Sequence, residues 1–112
     1  MLIKKSEKRK KEVPNCIVDE YDFPTKELSL AIAEINGRYP ETGKNKNTHC
    51  EQIEYVLSGK GVIHSDQGDF EIQEGDSYYF QKNEVYYLEG DNLIIAIANS
   101  PKWTPEQYEH LD

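Results

Sequence analysis

Along most of the chain, apolar and polar residues alternate with the period of two that marks half-buried β-strands. Cys16-Ile17-Val18-Asp19-Glu20-Tyr21-Asp22-Phe23 reads as a first strand, closed by Pro24. Residues Leu28 to Ile35 suit helix or strand by composition, and their β-branched content and the Asn36-Gly37 turn after them favour a strand. A polar loop from Tyr39 to Thr48 follows. Further strands are predicted over 52–57, 62–65, 69–72, 77–80, 85–88 and 93–99. Between them lie Ser58-Gly59-Lys60-Gly61, Asp66-Gln67-Gly68, Glu74-Gly75-Asp76, Lys82-Asn83-Glu84 and Gly90-Asp91-Asn92, all turn-forming compositions. Short strands with turn signals this closely spaced indicate an all-β sandwich or barrel. The tail reads as a short helix over 104–109, with Thr104 as N-cap and Pro105 at its first position.

A length of 112 residues fits one domain, which can bury a core without disulfide staples. With 13 Lys and Arg against 21 Asp and Glu, the formal net charge is −8, and it is unevenly spread. Residues 1–12 hold six basic and two acidic side chains; residues 13–112 are left at −12. That divides the chain into a basic N-terminal arm, 1–12, and an acidic body, 13–112. A body so negative repels phosphate backbones, so nucleic acid is not expected as its partner. The arm either stays solvated, folds back on the acidic body, or touches an acidic partner. No apolar run approaches the length of a membrane span, and no apolar segment follows the first lysines as in a signal peptide; a cytoplasmic location is expected. Cys16 and Cys50 show no C-x-x-C spacing and are expected to be reduced and partly buried.

Tyr55-Val56-Leu57-Ser58-Gly59-Lys60-Gly61 resembles the end of the first motif of the cupin superfamily, and Gly75-Asp76 with Ser77-Tyr78-Tyr79-Phe80 resembles the start of the second. The resemblance spans roughly residues 28–99. It implies a cupin-type double-stranded β-helix, that is, a jelly-roll barrel, here with a short C-terminal helix. Cupin enzymes hold a metal with two histidines and a glutamate from the first motif and a histidine from the second. Carried onto this chain, the glutamate position is Gln52, and the histidine pair falls on Lys46 and Thr48 or on Asn45 and Asn47. An alignment anchored on Gly43 puts His49 and Glu51 there instead. In the second motif the histidine position is Tyr86. The resemblance therefore implies a cupin without the usual metal ligands and with no cofactor; the alternative is a divalent transition metal on an atypical set built from His49, Glu51 and Glu54.

Strand parity sharpens the expected lining. If Gln52 faces inward, as its position in the cupin motif implies, so do Glu54 and Val56, and Tyr86 and Leu88 join them from the second motif. His49 is expected at the barrel mouth. A lining of His49, Gln52, Glu54 and Tyr86 suits hydrogen bonding to a small polar, sugar-like molecule. Glu54 needs a partner such as Lys46 or Arg38; without one, its pKa should rise. Three functions follow as expectations: a non-catalytic binder of a small polar ligand, a metal-dependent isomerase or dioxygenase, or an interaction module that uses the basic arm. A homodimer is expected by family analogy and from the edge strands that a small jelly roll leaves open.

Overall fold

A computed structural model describes residues 1–112. Nine strands run in chain order: β1 (Arg9–Val13), β2 (Cys16–Tyr21), β3 (Ser29–Tyr39), β4 (Lys44–Asn47), β5 (Glu51–Ser65), β6 (Gly68–Gln73), β7 (Ser77–Phe80), β8 (Tyr86–Ser100) and β9 (Tyr108–Leu111). All pair antiparallel in one curled sheet ordered β1-β2-β3-β8-β4-β9, with β5 pairing β6, β7 and β8. The long β8 is the hub, bonded to β3 along one edge and to β5 along the other. The result is a cupin-like jelly-roll barrel.

Two turns expected from the sequence are bends inside continuous strands. β5 runs through Ser58–Gly61 with register shifts at Val56/Ser58 and Ser58/Lys60, and β8 runs through Gly90–Asn92. Glycine is required there for close approach. A Cβ on Gly61 would lie 2.3 Å from the Glu89 carbonyl oxygen, and one on Gly90 2.3 Å from that of Ile35. A glycine-rich stretch reads alike as a turn or as a bend, and only the neighbouring strand decides between them.

The predicted C-terminal helix is also corrected. Thr104 makes no capping bond, and Pro105–Gln107 form a single 3-10 turn before the chain extends into β9. β9 pairs with β4, from Lys44↔Leu111 to Asn47↔Tyr108, so part of the expected 39–48 loop is a strand as well. Each of these strands supplies the other's backbone partners, which outweighs weak local preferences. At the other end, the basic residues form a 3-10 turn (Lys5–Glu7) and then β1, which lies along the acidic β2. Lys8 Nζ reaches Asp19 at 2.7 Å, and Lys11 Nζ reaches Glu20 at 3.3 Å.

The core fills one half of the barrel with Ile63, Ile72, Phe80, Leu88, Leu93 and Ile95, all buried. Outside, the register aligns Leu30, Ala98, Ile53 and Tyr79 in one row and Ile32, Ala96 and Tyr55 in the next. This outer face of β3, β8, β5 and β7 is apolar and uncharged, bounded by Glu34 and Glu51, and Leu30, Ile53, Tyr55, Leu57 and Tyr79 are exposed on it. No helix is long and apolar enough to cross a membrane.

Candidate ligand-binding cavity

The other half of the barrel is open. A cavity of about 660 Å³ enters it, within the size range of small-molecule sites. Gln52 and Glu54 project into it from β5, Tyr86 and Asn99 from β8, Tyr39 from β3, Cys16 from β2, Asn47 from β4, Tyr108 from β9, and Trp103 from the segment before the 3-10 turn.

The inward parity of β5 follows from its alternation: Gln52, Glu54 and Val56 are buried while Glu51, Ile53 and Tyr55 face out. A chain of hydrogen bonds crosses the cavity floor. Trp103 Nε1 donates to Asn47 Oδ1 at 2.9 Å. Asn99 Nδ2 donates to Gln52 Oε1 at 2.8 Å, and Asn47 Nδ2 reaches the same oxygen at 3.4 Å. Gln52 Nε2 then donates to Glu54 Oε2 at 2.7 Å. The order fixes the amide orientations: Gln52 accepts on one side and donates to the carboxyl on the other.

Glu54 ends this chain incompletely satisfied. The residue is 2% exposed, and Oε1 has no hydrogen-bond partner. Neither expected cation reaches it. Lys46 Nζ lies 3.8 Å from Glu109, while Arg38 donates to the Pro40 and Gly43 carbonyls and lies over the Tyr87 ring. Burial therefore pushes the Glu54 carboxyl up to about 8, opposed by the Gln52 bond, so it carries its proton at neutral pH. Glu84 provides the contrast. It is also buried, but Ser65, Tyr78 and the Gln81 backbone N–H all donate to it. Burial also raises the phenols of Tyr39 and Tyr86 and pushes the Cys16 thiol up to about 12, so these line the cavity as neutral groups.

Of the side chains expected at the lining, Gln52, Glu54 and Tyr86 come together and His49 does not. His49 is exposed, its Nδ1 lies 2.7 Å from Thr48 Oγ1, and its ring is not part of the cavity wall. Cys50, not His49, is buried, in line with the alternation of β5, and Gln107 Oε1 accepts from the backbone N–H groups of both residues and holds the approach to the strand. The atypical metal set fails for the same reason. His49 and Glu51 face outward while Glu54 is inside, and no three His, Cys, Asp or Glu side chains converge as metal ligands. The donors at the cavity floor are one protonated carboxyl, a high-pKa thiol, amides and phenols, and the rim carboxylates Glu20 and Asp22 are paired with cations, a set that does not fit a transition-metal centre. Elsewhere, His64 is held between Asp69 and Glu89 and His110 bonds Asn45.

Sequence reasoning missed Asn99, Tyr39, Trp103 and Tyr108 as cavity residues, and named Asn47 only as one of two alternative motif positions. Asn99 was within reach, since it has the inward parity of Leu93, Ile95 and Ile97. Asn47 and Tyr108 depend on the β4–β9 pairing, for which the polar Lys44–Asn47 carries no hydrophobic signal.

No protein family model matches the sequence. An uncharacterized protein of Methanocaldococcus jannaschii is 27% identical over 88 residues, covering 76% of this chain and 68% of its own length. Among solved structures, a variant of Streptomyces Pac13 with uridine superposes with a TM-score of 0.86 at 13% identity, over 96% of this chain and 87% of that one. Pac13 is described as a nucleoside dehydratase. Oxalate decarboxylase OxdC of Bacillus subtilis gives a TM-score of 0.80 at 11% identity, over 95% of this chain and 31% of that one. KdgF from a Halomonas species gives 0.76 at 14%, over 92% and 96%. At these identities the likeness is one of fold, and it is to cupin-like barrels of diverse activity.

Proposed function

We propose that the barrel binds a small molecule rich in hydroxyl groups, a sugar or a nucleoside, with its polar face on Glu54 and Gln52 and its ring against Tyr86, Tyr39 and Trp103. One observation carries the reading: Glu54 Oε1 is buried at the cavity wall with no partner. An orphaned buried polar atom is costly, and a ligand hydroxyl would satisfy it. Because the carboxyl is protonated at neutral pH, it offers a donor as well as an acceptor, which suits a hydroxyl better than an anion.

A second reading rests on the same proton. A carboxyl with a pKa of about 8 is suited to general-acid work near neutrality, such as protonating a departing hydroxyl. The structural likeness to a nucleoside dehydratase is in keeping with that step. Both readings are tested on one panel of pentoses, hexoses, polyols and nucleosides. Thermal shift should find members that raise the melting temperature of the wild type and not of Glu54→Ala. Proton NMR of each mixture over time should then separate binding from turnover. If Glu54→Ala binds every member as well as the wild type does, the site is wrong.

A further inference from the structure

β1 brings the basic arm to the cavity mouth, and the chemistry at the cavity floor makes no use of it. Directly opposed residues in an antiparallel pair share a face. Arg9 lies opposite Glu20, Lys11 opposite Val18, and Val13 opposite Cys16, and both Val18 and Cys16 line the cavity. Arg9 and Lys11 therefore project on the cavity side of β1; Lys10, opposite Asp19 and paired with Glu12, also borders the opening. Lys11 Nζ sits 5.4 Å from the Trp103 ring centroid, and Lys102 completes the rim.

Two carboxylates, Glu20 and Asp22, share the rim with Arg9, Lys10, Lys11 and Lys102. Asp22 is taken by Lys102, which also donates to the Phe23 carbonyl. Arg9 stands 3.5 Å from Asp22 and 3.8 Å from Glu20, too far for good hydrogen bonds, and its side chain is 66% exposed. Lys11 is 53% exposed, with Glu20 at 3.3 Å. A chain of net charge −8 thus places a surplus of cations around this opening, among them a solvent-exposed guanidinium that no carboxylate holds closely. The floor is the reverse: its one ionisable carboxyl, Glu54, would repel an anion once it lost its proton.

We infer that the ligand carries an anionic group, phosphate or carboxylate, which Arg9 and Lys11 hold at the mouth while its hydroxylated body reaches Glu54. This rests on the reading of the cavity as a hydroxyl-binding site. The guanidinium supplies the planar fork that such anions accept. Trp103 lies between the two ends, touching Lys11 above and bonding Asn47 below.

Trp103 is the sole tryptophan, so its emission reports on the mouth. The full chain is titrated at low salt with ribose and ribose 5-phosphate, with glucose, glucose 6-phosphate and glucuronate, and with inorganic phosphate. Each anionic sugar should bind about tenfold or more tightly than its neutral counterpart, as charge-assisted hydrogen bonds allow. That gain should vanish in the Arg9→Gln/Lys11→Gln variant and in about 0.5 M salt, where exposed charges are screened. The variant should still bind the neutral sugars, which shows that it folds. Equal binding of neutral and anionic members, or a gain that survives in the variant, overturns the inference and leaves the hydroxyl site standing. If no sugar of either kind binds, the hydroxyl-site reading fails and takes the inference with it. Glucuronate against glucose 6-phosphate tells carboxylate from phosphate.

Discussion

Replacing Glu54 by glutamine should remove the pH dependence that this one side chain imposes on stability. In the folded protein the carboxyl titrates at about 8 against an ordinary value of 4.5, because burial disfavours its charge. Below the ordinary value, folded and unfolded chains both hold the proton, and Glu54 exacts no ionisation penalty. Between the two values only the folded chain keeps it, so folded protein binds more protons and stability falls as pH rises. The slope is about 1.4 kcal/mol per pH unit. Over the whole window, from 4.5 to about 8, the loss comes to about 5 kcal/mol. The glutamine side chain would not titrate, and its carbonyl could still accept from Gln52 Nε2, which now donates to Glu54. All other groups cancel in the difference between the two proteins. Urea unfolding of both at a series of pH values from 5 to 8 should therefore show the variant gaining on the wild type steadily, by about 2.5 kcal/mol between pH 5 and pH 7. A difference that stays flat within about 0.5 kcal/mol across that series would refute the reasoning, because Glu54 would then be ionised, or solvated, in the folded state.

Both cysteines are buried, and burial holds the Cys16 thiol at about 12 and raises that of Cys50. A thiol-disulfide reagent at pH 8 should label neither in the native protein and both in denaturant, and rapid stoichiometric labelling without denaturant would contradict the burial. Gly90→Ala should lower stability by about 3 kcal/mol in urea unfolding, because its Cβ would press on the Ile35 carbonyl 2.3 Å away; an unchanged midpoint would show that β8 is not held against β3 there. The homodimer expected from the sequence is proposed to form through the uncharged outer face of β3, β8, β5 and β7, where two copies of an acidic chain meet without like charges. Sedimentation equilibrium should give twice the chain mass for the wild type and the chain mass for Ile53→Glu; a monomeric wild type removes the proposal.

The sequence by itself determined the β class and most strand positions, and with the cupin resemblance placing Gln52 and Tyr86 it set the inward parity of Gln52, Glu54, Val56, Tyr86 and Leu88. A strand's two faces alternate strictly, so one correctly placed residue settles its neighbours. It also determined that Glu54 would be anomalous without a partner, since that follows from the cost of a buried carboxyl. The tertiary structure decided whatever depends on residues far apart along the chain. The Gln107 side chain holds the His49 backbone N–H from 58 positions away. The pairing of Lys44–Asn47 with Tyr108–Leu111 turns a polar loop and an expected helix into two strands, and brings Asn47 and Tyr108 to the cavity. The basic arm becomes part of the mouth only because β1 registers on β2. Local patterning records which face a residue prefers, whereas pairing between distant segments is a competition among backbones for partners and leaves little trace in the composition of either one.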